Sequence, residues 1–135
     1  MNNETAQPSV LNAMLEKASE KLAAAQEAIR DGFFGEAASC SYYAAFHATS
    51  AVLAHKGFSF SSHAQVMGAF NREFVKTGVF PPDTSRRIQR LFEDRATADY
   101  DWKIRVNETT ASADVTDAEW MVKMCHDHLK TINAL

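Results

Sequence analysis

The stretch Ala37-Ala38-Ser39-Cys40-Ser41-Tyr42-Tyr43-Ala44-Ala45-Phe46-His47-Ala48 decides the fold. It is built almost wholly from small and aromatic residues, without the β-branched run that a strand would use. Small residues let neighbouring helices approach, and aromatics fill the space left between them. The segment therefore reads as the centre of a buried helix, over about 35–56, ended by Gly57.

Outward from it, Leu11, Met14, Leu15, Ala18, Leu22, Ala25 and Ile29 recur at spacings of three and four. That is one apolar stripe on a helix from Val10 to Asp31, stopped by Gly32. On the other side, Ser62 and Gln65 have capping-box spacing ahead of Val66, Met67, Phe70, Phe74 and Val75. Gly78 and Pro81-Pro82 close that third helix, and Asp83 is the expected cap of a fourth. The fourth places Ile88, Leu91 and Phe92 inside and Arg86, Arg87 and Arg90 outside. Residues 106–115 read as an exposed loop, with Thr116 and Glu119 capping a fifth helix over 117–133. The expectation is an all-α domain, a mostly antiparallel bundle of four to five helices. Residues 1–9 are expected to form a flexible tail, and residues 10–135 a single domain.

Composition agrees. The chain has 135 residues, the size of one domain, with only five glycines and three prolines. Cys40 and Cys125 are the only cysteines, and they read as two buried free thiols rather than as a disulfide framework. No stretch approaches the ~18 apolar residues of a membrane span. The start Met1-Asn2-Asn3-Glu4 has neither the basic residues nor the apolar run of a secretory leader, so a cytoplasmic location is expected.

The net charge of -3 excludes a globally basic nucleic-acid binder. Residues 61–105, however, hold eight basic and six acidic side chains, which makes the middle of the chain the place for an anionic ligand. On a helix Arg95 and Asp99 are i, i+4 neighbours, and Tyr100 follows about 140° round from Arg95. An arginine, a carboxylate and a phenol offer donors for a phosphate and a surface for a base. His126 and His128 fall on different faces of one helix, and no zinc or other metal pattern is present. No metal, flavin or haem is expected.

Three stretches together resemble the HEPN superfamily, in its small stand-alone branch. They are Ala38–Ala48; Ser62-His63 with Phe70-Asn71-Arg72-Glu73-Phe74-Val75-Lys76-Thr77-Gly78; and Arg95-Ala96-Thr97-Ala98-Asp99-Tyr100. The resemblance implies a helical bundle that dimerises. It also implies a role either as a metal-independent RNA-cleaving toxin or beside a small nucleotidyltransferase. Catalytic members carry an Arg, four to six residues, then a His. Arg95 matches the Arg, but Asp99, Tyr100, Asp101 and Trp102 stand where the His would be sought.

The expected function is thus RNA or nucleotide binding, as a non-catalytic partner of a nucleotidyltransferase in a toxin–antitoxin-type system. The alternatives are a metal-independent endoribonuclease toxin and a protein-interaction domain without nucleic acid. Arg86, Arg87, Arg90, Arg95 and Tyr100 are the expected RNA- or nucleotide-binding residues. Arg95, Asp99, Tyr100, His47 and His63 are the candidates for chemistry. A homodimer is expected, because Phe33, Phe34, Phe58, Phe60, Phe80 and Trp102 exceed what one small core should bury.

Overall fold

The computed structural model describes residues 5–135. Its elements are α1 (Pro8–Asp31), α2 (Phe34–His55), α3 (His63–Phe70) running into one π-helical turn (Asn71–Val75), α4 (Thr84–Tyr100) and α5 (Glu108–Thr131). There is no strand among the described residues. The fold is the expected all-α bundle. α2 packs against α1, α3, α4 and α5, so the helix that decided the reading is the central one. Ala37, Ala38, Ala44, Ala45, Ala48 and Ala51 are fully buried along it. Replacing any of these by a larger side chain would push a neighbouring helix away, a typical cost of about 1–3 kcal/mol.

The helix ends follow local chemistry. Gly32 sits at φ 80°, its N–H bonded to Ile29 O, while the Phe33 N–H reaches Ala28 O; this left-handed cap stops α1. The Ser62 hydroxyl accepts the Gln65 N–H, as its spacing predicts.

Three boundaries differ from the sequence reading. Pro8 and Ser9, assigned to the tail, open α1, because proline fits the first helical position. Ala6 N–H already bonds Ala54 O, and residues 1–4 of the expected tail lie outside the described residues. Asp83 does not cap α4 through its side chain; its carboxylate turns to Arg87. The loop expected at 106–115 is the start of α5. Asn107 caps it by accepting the Thr110 N–H, and Thr116 bonds back to Ser112 O inside the helix.

The aromatic surplus also divides. Phe80 is buried against Phe70 and Phe74, and Phe58 and Phe60 stack on each other at the edge of the core. Phe33 and Trp102 remain exposed, at 65% and 94%, with Tyr100 and Ile104 beside them in the exposed set. Cys40 and Cys125 are both buried free thiols. No helix among the described residues is long and apolar enough to cross a membrane.

Candidate functional site

α4 runs unbroken through Arg95, Asp99 and Tyr100, so the local geometry expected of a helix is realised. Arg95 Nη1 lies 3.9 Å from the Asp99 carboxylate and 3.5 Å from the Tyr100 hydroxyl. Arg95 itself is buried at 7% exposure. Burying a guanidinium is costly unless its charge is answered. Here four aromatic rings answer it: Tyr42 at 4.9 Å, Phe92 at 5.3 Å, Tyr100 at 5.7 Å and Tyr43 at 5.8 Å. Each such contact contributes roughly 0.5–2 kcal/mol. Ring faces leave the in-plane N–H donors unused, and Arg95 Nε has no hydrogen-bond partner among the described residues. The arrangement is a cation with open donors at the end of an aromatic box.

His63, the first residue of α3, joins this box. Its Nδ1 lies 2.5 Å from the Tyr42 hydroxyl. Its ring lies on Phe46, centroids 4.5 Å apart, and meets the Tyr43 ring edge-on at 6.1 Å. Burial first, and then the Arg95 guanidinium, lower the His63 pKa, so the imidazole is neutral at pH 7. Burial raises the Tyr42 phenol to about 12, with Arg95 pulling the other way, so Tyr42 keeps its proton. Tyr42, which is fully buried, thus carries His63 on its hydroxyl and Arg95 on its ring.

His47 is not part of the box among the contacts described. Its ring meets Phe46 edge-on, and burial together with Lys17 and Lys21 of α1 lowers its pKa. It faces α1 rather than α4.

The basic strip expected on α4 is mostly committed elsewhere. Asp117 of α5 is buried, and both Arg87 and Arg90 donate to its carboxylate. Arg87 also reaches Asp83 at 3.0 Å and lies over the Trp120 ring at 4.5 Å. Arg86 alone of the three stays largely exposed, 3.9 Å from Asp83. Asp117, which composition did not single out, is the residue that ties the strip down. Nearby, Asp114 is fully buried beside Asp94. Burial and the Asp94 carboxyl push Asp114 up to about 9, so it holds a proton at neutral pH. That proton supplies the donor that the buried, unpartnered Asp94 oxygen lacks.

Beside the box, an open groove is lined by Phe33, Phe34, Ala98, Trp102, Ile104 and Val106. The loop that carries Trp102 is shaped by Asp101, whose carboxylate accepts the N–H groups of Lys103 and Ile104. No group of three or more His, Cys, Asp or Glu side chains suited to hold a metal ion occurs among the described residues.

Comparison with known proteins agrees with this architecture. A Thermotoga maritima protein named "UPF0332 protein" is 44% identical over 78 residues, which are 58% of this chain and 59% of that protein's length. Two Methanocaldococcus jannaschii proteins also match. One, named "Putative toxin MJ0142", is 31% identical over 75% of this chain and 69% of its own. The other, named "Putative toxin MJ0605", is 30% identical over 90% of both chains. Residues 11–128 match the HEPN domain, a span that contains the whole aromatic box. The chain belongs to the HEPN domain family.

Proposed function

We propose that this HEPN domain binds RNA, or a nucleotide, through a phosphate held on Arg95, and that it works in a cytoplasmic toxin–antitoxin-type system with a small nucleotidyltransferase as partner. The observation that carries this reading is the buried Arg95 guanidinium, boxed by four aromatic rings and left with an unpaired Nε. A phosphate oxygen would complete its donors, and the exposed Tyr100 ring offers a stacking surface for the adjoining base. Asp99, on the same helix, orients the guanidinium. The toxin names of two relatives support the same setting.

A homodimer belongs to this reading. The groove with Phe33, Trp102 and Ile104 adjoins Tyr100, so a second copy seated there would lie next to the phosphate site.

The second reading, a metal-independent endoribonuclease toxin, is favoured by one specific observation: His63 stands in the Arg95 box although no histidine follows Arg95 in sequence. One experiment tests the first reading. Wild-type and Arg95→Ala protein are incubated with labelled structured RNA in chelator, with binding followed across a salt series. Binding that weakens with salt and collapses in Arg95→Ala is expected. Absence of binding at low salt would sink the proposal.

A further inference from the structure

Resting on the reading that an RNA phosphate occupies Arg95, we propose that His63 of α3 is a catalytic acid–base residue of this site, and that it takes a proton from the ribose 2′-hydroxyl next to that phosphate. The group that α4 lacks after Arg95 is thereby supplied from a different helix.

The geometry carries this assignment. His63 Nδ1 is tied to the Tyr42 hydroxyl, and the imidazole is seated on Phe46 with Tyr43 at its edge. The ring is therefore fixed, and Nε2 is the nitrogen left free among the described contacts. A phenol can accept as well as donate. When Nδ1–H donates to Tyr42, the lone pair sits on Nε2, as a general base requires. Tyr42 and Tyr43 are also two of the rings that hold Arg95, so base and cation are mounted on the same pair of side chains. Burial and the neighbouring guanidinium keep His63 unprotonated near neutrality, the state in which it can accept a proton. Tyr42 is a positioning residue in this scheme.

The step balances without a metal or redox partner. The 2′-oxygen bonds to phosphorus while its proton passes to His63 Nε2. The bond from phosphorus to the 5′-oxygen breaks, and that oxygen takes a proton from water. The imidazolium then returns its proton to the solvent. The products are a 2′,3′-cyclic phosphate end and a 5′-hydroxyl end. Arg95 meets the charge that gathers on the phosphoryl oxygens.

A purely structural His63 would only satisfy a buried phenol and pin the start of α3, and the test separates the two roles. His63→Gln retains an amide that can bond Tyr42 but cannot exchange a proton. The expected result is RNA binding within about twofold of wild type, an unchanged melting temperature, and cleavage in chelator lowered by roughly 100-fold or more. In His63→Ala, added imidazole should restore part of the cleavage, and RNA with 2′-O-methyl sugars should resist the wild type. Wild-type protein that binds RNA without cleaving it would overturn the catalytic assignment and leave phosphate binding intact. Cleavage undiminished in His63→Gln would also overturn it. Protein that binds no RNA would remove the underlying reading and this inference with it.

Discussion

α4 holds two arginine clusters that solve the same problem in opposite ways. Arg87 and Arg90 meet a buried carboxylate, Asp117, which answers their charge directly. Arg95 meets four aromatic rings, and its nearest carboxylate stands off at 3.9 Å. A carboxylate consumes both the charge and the N–H donors of a guanidinium, whereas ring faces balance the charge and leave donors free. The first arrangement is a clamp between α4 and α5. The second is a receptor for an anion. Basic residues spaced along one helix are therefore poor evidence of a binding strip until their partners are known.

The sharpest break between the clusters is a double dissociation. Arg95→Ala should lose two charge-assisted hydrogen bonds to phosphate, about 1.5 kcal/mol each, which amounts to roughly a 100-fold fall in RNA affinity. Arg90→Ala should leave RNA affinity within about threefold, since its donors face Asp117. Electrophoretic or fluorescence titrations at fixed salt check both. Equal losses in the two variants would erase the distinction between clamp and receptor.

Next in size is the clamp itself. Asp117→Ala removes the shared acceptor and leaves two arginines unpaired at the α4–α5 seam. Their side chains keep 29% and 41% of their exposure, so water recovers part of the loss. A destabilisation of about 1–3 kcal/mol is expected in denaturant unfolding. RNA affinity at the Arg95 box should hold.

These two clusters also mark where sequence reading succeeds. The i, i+4 and i, i+5 relations of Arg95 with Asp99 and Tyr100 are properties of one helix, so spacing alone located them. Tyr42 with His63, and Arg87 and Arg90 with Asp117, are pairs separated by 21, 30 and 27 residues, which only the packing of helices creates. No local pattern announces them. The central helix was legible because its small residues have no other use than close packing. The first turns of α5 were missed because Thr116 and Glu119 imitate a cap. A better signal was available: Ala111, Val115 and Ala118, at spacings of four and three, form the buried stripe that continues the helix back to Asn107.

A smaller effect probes the carboxyl pair behind the clamp. Asp114 is pushed up to about 9 by burial and by Asp94, well above the ordinary carboxylate range of about 4. The folded state thus binds a proton that the unfolded state has released over that window. Its stabilising contribution is complete below about pH 4 and is lost as pH rises through about 9. Asp114→Asn keeps the size and supplies a permanent donor to Asp94. The variant should lose the decline in stability between pH 6 and 9 that the wild type shows in parallel melts. An unchanged pH slope would mean that Asp114 is ionised in the folded protein.

The smallest effect on stability separates the receptor from its surroundings. Trp102 is 94% exposed and follows Asp101, whose carboxylate shapes the turn, so it adds almost nothing to the core. Trp102→Ala should change unfolding free energy by no more than about 0.5 kcal/mol. A large exposed indole beside Ile104 and Phe33 is a different matter for association, where buried aromatics dominate the energy of an interface. Sedimentation of the wild type at micromolar concentration should give a dimer, and the variant should shift toward monomer. If the second copy seats beside Tyr100, RNA affinity should fall with the dimer even though Arg95 is untouched. A variant that becomes monomeric yet binds RNA as tightly as wild type would show that the receptor is complete within one chain. Dimers that persist undiminished in the variant would place the contact between copies away from the Phe33–Trp102 groove.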